Sequence, residues 1–171
     1  MKQNSFTVTR RAERFAWLVI TLAALFGLTT SVTTAHADET CSSPYLARIE
    51  GQEEFVYVWT LGVEGLGDGA DKLVVVDVKP GSPKYGQIIH SQSVAGRNEA
   101  HHGGFTDDRR QLWLSGLETS KIFIFDVYSN PAQPRLVRTF ENFEKTTSGA
   151  VGPHGVYALP GRVLVPSSPG F

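Results

Sequence analysis

Lys72-Leu73-Val74-Val75-Val76-Asp77-Val78 is followed 49 residues later by Lys121-Ile122-Phe123-Ile124-Phe125-Asp126-Val127. Each run opens on lysine, closes on aspartate and valine, and is otherwise β-branched, aliphatic or aromatic, the composition of a buried strand. Each leads into a proline-bearing turn and another strand-like segment: 79–83 before 86–91, and 129–134 before 136–140. Two more pairs keep nearly the same interval. His102-Gly103-Gly104-Phe105 matches His154-Gly155-Val156-Tyr157 at an offset of 52, and Leu112-Trp113-Leu114-Ser115 answers Val163-Leu164-Val165-Pro166 at 51. A unit of about 50 residues, with four short strands and turn signals between them, is the pattern of a β-propeller blade. The competing arrangement is an antiparallel sandwich in which the repeat is accidental.

The remaining segments fit the same scheme. Phe55-Val56-Tyr57-Val58-Trp59 has strand composition, and the glycine- and acid-rich run 61–71 has loop composition. No segment past the leader keeps a helical period for three turns, so 141–148 reads as a loop, with a short helical turn as the alternative. The prediction is an all-β chain: most of one blade (55–95), a full blade (100–140) and the start of a third (154–167). Propellers usually need at least four blades to close. The expectation is therefore the N-terminal portion of a larger ring, incomplete by itself.

Composition narrows the function. A formal net charge of −1 over 171 residues excludes a strongly basic nucleic-acid binder and a highly acidic disordered chain. Arg10, Arg11 and Arg14 precede an uncharged apolar run, 15–28, and Ala35-His36-Ala37 is a small-x-small cleavage site. Together these read as a secretory signal peptide, 1–37, ahead of a mature segment, 38–171. The apolar run is shorter than the ~20 residues of a spanning helix, so no stable membrane anchor is expected after cleavage. The protein is expected in the periplasm or outside the cell. Cys41 is the single cysteine and makes no internal disulfide. Asp38-Glu39-Thr40 before it argue against lipidation.

The candidate site is Glu99-Ala100-His101-His102-Gly103-Gly104-Phe105. On a regular strand, adjacent histidines face opposite sides. They can reach one ion if the strand bends, which Gly103-Gly104 would permit. The first strand of a blade lines the channel of a propeller. His101 and His102 open one such strand, and His154 opens the equivalent strand of the next blade. Three imidazoles would then converge, a donor set for zinc, copper, iron or nickel. Three ligands with an open position suit a catalytic site, and in an exported protein copper and zinc are the reasonable ions. Glu99 is a candidate to orient a ligand imidazole. His90, Asp77 and Asp126 are assigned structural roles, the two aspartates as turn caps or as blade contacts.

In the same order, several segments resemble the selenium-binding protein family. They are Cys41, 54–57, 73–78, Ser82-Pro83-Lys84-Tyr85-Gly86-Gln87-Ile88-Ile89-His90, His101 to Phe105, 122–127 and Pro153-His154-Gly155. The resemblance covers essentially the whole mature segment. It implies a seven-bladed propeller more than twice this length. For the bacterial branch it implies a copper-dependent oxidation of methanethiol, with oxygen and water, to formaldehyde, hydrogen sulfide and hydrogen peroxide. The family's histidine ligands map onto His101, His102 and His154, with further ligands expected past Phe171. Two positions depart from the family pattern. Thr60 stands where animal members carry the cysteine associated with selenium, and Tyr157 stands where a second histidine follows Pro-His-x-x.

Two functions follow as alternatives. One is a metal-dependent oxidase of small thiols. The other is a non-catalytic propeller module whose histidines are structural, or a fragment that is inactive because the ring is incomplete.

Overall fold

A computed structural model of the chain describes residues 43–168. The predicted leader and Cys41 lie outside the described residues. The alternating and β-branched runs form strands where the sequence places them. β1 (Phe55–Thr60), β2 (Lys72–Asp77) and β3 (Ile88–Ser93) make one antiparallel sheet in chain order. β4 (Ala100–Phe105), β5 (Gln111–Gly116), β6 (Lys121–Asp126) and β7 (Arg135–Phe140) make a second, four-stranded meander, also in chain order.

Two points differ from the sequence reading. The segment read as a loop at 141–148 contains a one-turn helix, α1 (Phe143–Thr146), pinned by its buried Phe143. Too short for a periodic signal, it forms because Phe143 packs on Ile122 and Ile124. The third unit also begins earlier than 154. β8 (Val151–Pro153) pairs with β11 (Ser167–Ser168), and β9 (Tyr157–Leu159) with β10 (Arg162–Leu164). The His154 N–H donates to the Pro166 carbonyl at 2.8 Å. The four short strands are thus one long hairpin interrupted around His154.

The core explains the repeated run. In β6 the pattern Ile-Phe-Ile-Phe puts phenylalanines on one face and isoleucines on the other, because side chains alternate across a strand. Phe123 and Phe125 join Leu73, Leu112 and Leu114 in a cluster between the two sheets. Ile122 and Ile124 join Phe143 in a second cluster, flanked by Trp113, Phe140 and Val165. β6 is therefore buried on both faces. Each fully buried phenylalanine contributes about 1.5–3 kcal/mol. The sheets are also joined by aromatic pairs, Tyr57 with Phe105 at 6.2 Å and Trp59 with Phe123 at 5.7 Å between ring centroids.

The repeat-equivalent aspartates cap turns, as read from the sequence. Asp77 accepts from the Lys79 N–H and the Ser82 hydroxyl. Asp126 accepts from the Tyr128 and Ser129 N–H groups and the Ser129 hydroxyl. No helix among the described residues is long and apolar enough to cross a membrane.

Candidate metal centre

Strand alternation would separate His101 from His102. The ladder between β4 and β5 removes that obstacle. Ala100 pairs with Gly116 and Gly103 pairs with Leu114, so both histidines stand opposite the single residue Ser115. This is a β-bulge, which re-aims a side chain on the bulged strand. The two rings lie 4.3 Å apart between centroids.

The glycines that follow do a different task from the bend expected of them. Neither has a positive φ. A Cβ on Gly103 would fall 2.8 Å from the Trp113 carbonyl oxygen, and one on Gly104 would fall 2.5 Å from the Val156 carbonyl oxygen. Bare backbone at 104 thus lets β4 approach the segment that carries His154. The left-handed residue in this stretch is Glu99, at φ 61°. Its carbonyl accepts from Leu117, and its carboxylate makes no hydrogen bond to a ring among the described contacts.

His154 arrives from the interruption in the hairpin. Its Nε2 lies 3.1 Å from Nε2 of His101, and its ring lies 4.8 Å from that of His102. One nitrogen from each of the three rings falls within 4.8 Å of the others, and all three residues are exposed. The site is therefore open on one side. Partial desolvation holds the His101 pKa below its ordinary value, and the neighbouring His102 and His154 add to this against the opposing charge of Glu99. A neutral ring presents a lone pair to a cation. Metal–imidazole bonds of about 2.0–2.1 Å place two nitrogens on one ion about 3 Å apart, and the His101–His154 pair has that spacing at 3.1 Å.

Two residues that the sequence reading did not single out support the cluster. Ser115 is fully buried beneath it, and its hydroxyl donates to the His102 carbonyl at 2.6 Å. A small polar residue directly after the apolar run Leu112–Leu114 was its only trace in the sequence. Asp71, also fully buried, accepts from the Gly62 N–H at 2.7 Å and the Asn98 N–H at 2.9 Å. It fixes the segment leading into β4. His90 stays apart on β3, its Nε2 buried without a hydrogen-bond partner among the described residues.

Residues 35–168 match the family described as 56kDa selenium binding protein (SBP56). A methanethiol oxidase of Ruegeria pomeroyi is 61% identical over 131 residues, covering 77% of this chain and 30% of that protein. One from a Hyphomicrobium species is 57% identical over 130 residues, covering 75% and 29%. The X-ray structure of a hypothetical selenium-binding protein from Sulfolobus tokodaii aligns with a TM-score of 0.60 at 30% identity, over 67% of this chain and 29% of that one. The chain spans about 30% of the length of these curated relatives. Matched over nearly all the residues that build its sheets, the chain belongs to the 56 kDa selenium-binding protein family.

Proposed function

We propose that this chain supplies three ligands of a copper centre in an exported oxidase of small thiols. The observation that carries the reading is the convergence of His101, His102 and His154 from two repeat units, with one nitrogen of each within 4.8 Å of the others. Relatives named methanethiol oxidase support a small thiol as substrate. In this reading the two sheets and the hairpin are consecutive blades of a seven-bladed ring. The reaction balances as methanethiol, oxygen and water giving formaldehyde, hydrogen sulfide and hydrogen peroxide.

Copper would supply a soft acceptor for a thiolate and the redox chemistry that side chains lack. The chain's own residues do the rest. The three imidazoles bring one nitrogen each to within 4.8 Å of the others, and the bulge keeps His101 and His102 on the same side. Among the described residues no carboxylate joins the cluster, so the three donors it contributes are all nitrogen, a choice that suits copper better than calcium or magnesium.

A second reading rests on the His101–His154 contact. A direct hydrogen bond between two imidazoles ties the two units without any ion, as a non-catalytic module would need. Metal analysis separates the two. The purified chain is expected to bind one copper per chain, and His101→Ala/His102→Ala is expected to bind none. For activity, residues 38–168 are exchanged into the Ruegeria pomeroyi relative, and thiol-dependent oxygen uptake is measured. Uptake that survives the double substitution would eliminate the oxidase reading, and a chain that binds no copper leaves the structural module.

A further inference from the structure

Ser115 stands where three parts of the fold meet. It lies on β5 opposite the bulge that carries His101 and His102. Its hydroxyl is 2.6 Å from the His102 carbonyl oxygen and 3.5 Å from the His154 carbonyl oxygen. Its own carbonyl accepts the indole N–H of Trp59, on β1, at 3.0 Å. It is completely buried. One side chain thus reaches the backbone of two of the three clustered histidines, while its backbone is held by the neighbouring sheet.

We infer that Ser115 is the positioning residue of the histidine cluster: its hydroxyl holds the bulge that turns His101 and His102 to one side, and it keeps that bulge beside His154. The role of the cluster as a metal site rests on the function proposed above. Ser115 acts on the protein's own backbone, so its effect on the rings is read first in the metal-free chain.

A bulge interrupts regular pairing and leaves one residue out of register. Buried carbonyls in native structures have partners. Here a hydroxyl from the opposite strand donates to the carbonyl of the bulged residue. Serine is small enough for a site with no exposed surface and still carries a donor. With alanine at 115 that donor is gone. A regular ladder then competes with the bulge, and a one-residue shift of register sends a side chain to the other face. One of the two histidines leaves the cluster. The exposed rings hold each other only weakly, so the buried backbone decides where they point. The contact with the His154 carbonyl, at 3.5 Å, is longer and adds placement between units more than strength.

The test compares wild type with Ser115→Ala in the metal-free chain. Ring-proton cross-relaxation by NMR is expected between His101 and His102 and between His101 and His154 in wild type. In Ser115→Ala at least one of these contacts is lost, while amide shifts in the first sheet stay in place. Copper(I) competition with a chromogenic chelator is then expected to show at least tenfold weaker binding. Ile124→Val, which loosens the core away from the cluster, should leave both the ring contacts and copper binding unchanged. Ring contacts retained in Ser115→Ala, with copper affinity within threefold of wild type, overturn the proposal. If wild type itself takes up no copper but Ser115→Ala still loses the ring contacts, the positioning role stands and the ligand reading fails. Should Ser115→Ala not fold, Ser115→Cys is read in its place. The thiol is a weaker donor, so weakened ring contacts support the proposal and contacts identical to wild type overturn it.

Discussion

His101 Nε2 and His154 Nε2 lie 3.1 Å apart although 53 residues of chain separate them. That separation is close to one repeat. Each histidine occupies a similar place in its own unit, and packing one unit against the next brings the two rings together. The contact follows from the spacing of the repeat as much as from the residues themselves.

Removing one ring should weaken metal binding far more than removing a histidine elsewhere. His154→Ala is expected to lose copper affinity beyond the roughly 10–100-fold typical of losing an outer partner of a ligand. His90→Ala should leave it unchanged, since His90 sits on β3 away from the cluster. Copper competition titrations on the two variants check this.

Gly104→Ala tests the close approach of the two units. The new Cβ would lie 2.5 Å from the Val156 carbonyl oxygen and 3.2 Å from the Val156 Cβ. Backbone must move, and overpacking of this kind costs typically about 1–3 kcal/mol. Chemical denaturation should show that loss. The His101–His154 ring contact should also weaken, because the displaced segment carries His154.

The titration of His101 has a defined sign. Its folded pKa lies below the ordinary 6.5 because of ring desolvation and its histidine neighbours. The unfolded chain therefore takes up a proton before the folded chain does. The stability linked to this group is full above pH 6.5 and is lost as pH falls through the lowered folded value. An NMR titration should place the His101 midpoint below that of a free histidine. His101→Ala should flatten this part of the stability profile.

Asp71→Ala should destabilise the fold without touching a ring. The substitution leaves the N–H groups of Gly62 and Asn98 without their carboxylate acceptor. Unsatisfied buried donors cost about 1–3 kcal/mol each. Hydrogen exchange should rise first at Gly62 and Asn98. Asp71→Asn, which keeps one acceptor oxygen, should fall between the two.

Much of the fold was legible in the sequence because strands of this kind carry their own signal. Ile122-Phe123-Ile124-Phe125 announces a strand buried on both faces, and β6 has an apolar cluster on each side. Asp77 and Asp126 recur at equivalent points, each followed by a serine, and both cap turns. The histidine pair and its partner in the next unit were found through the repeat. The short helix at Phe143 stood only as the alternative to a loop, because one turn has no period to detect. Asp71 was missed because a lone aspartate at the end of a glycine-rich loop looks solvated. Only the fold shows that two backbone donors close over it.

The sequence by itself determined the all-β class, the positions of β1 to β7 and the interval that pairs His102 with His154. These depend on local alternation and on repetition, which are written along the chain. Tertiary structure alone decided how adjacent histidines on one strand come to share a side. The answer is a bulge opposite Ser115, and a bulge is a property of two strands in register rather than of either one. It also reassigned Gly103 and Gly104. They are glycines because β5 and the His154 segment press against them at distances a Cβ would not allow, a constraint set by neighbours 10 to 50 residues away that local sequence does not express.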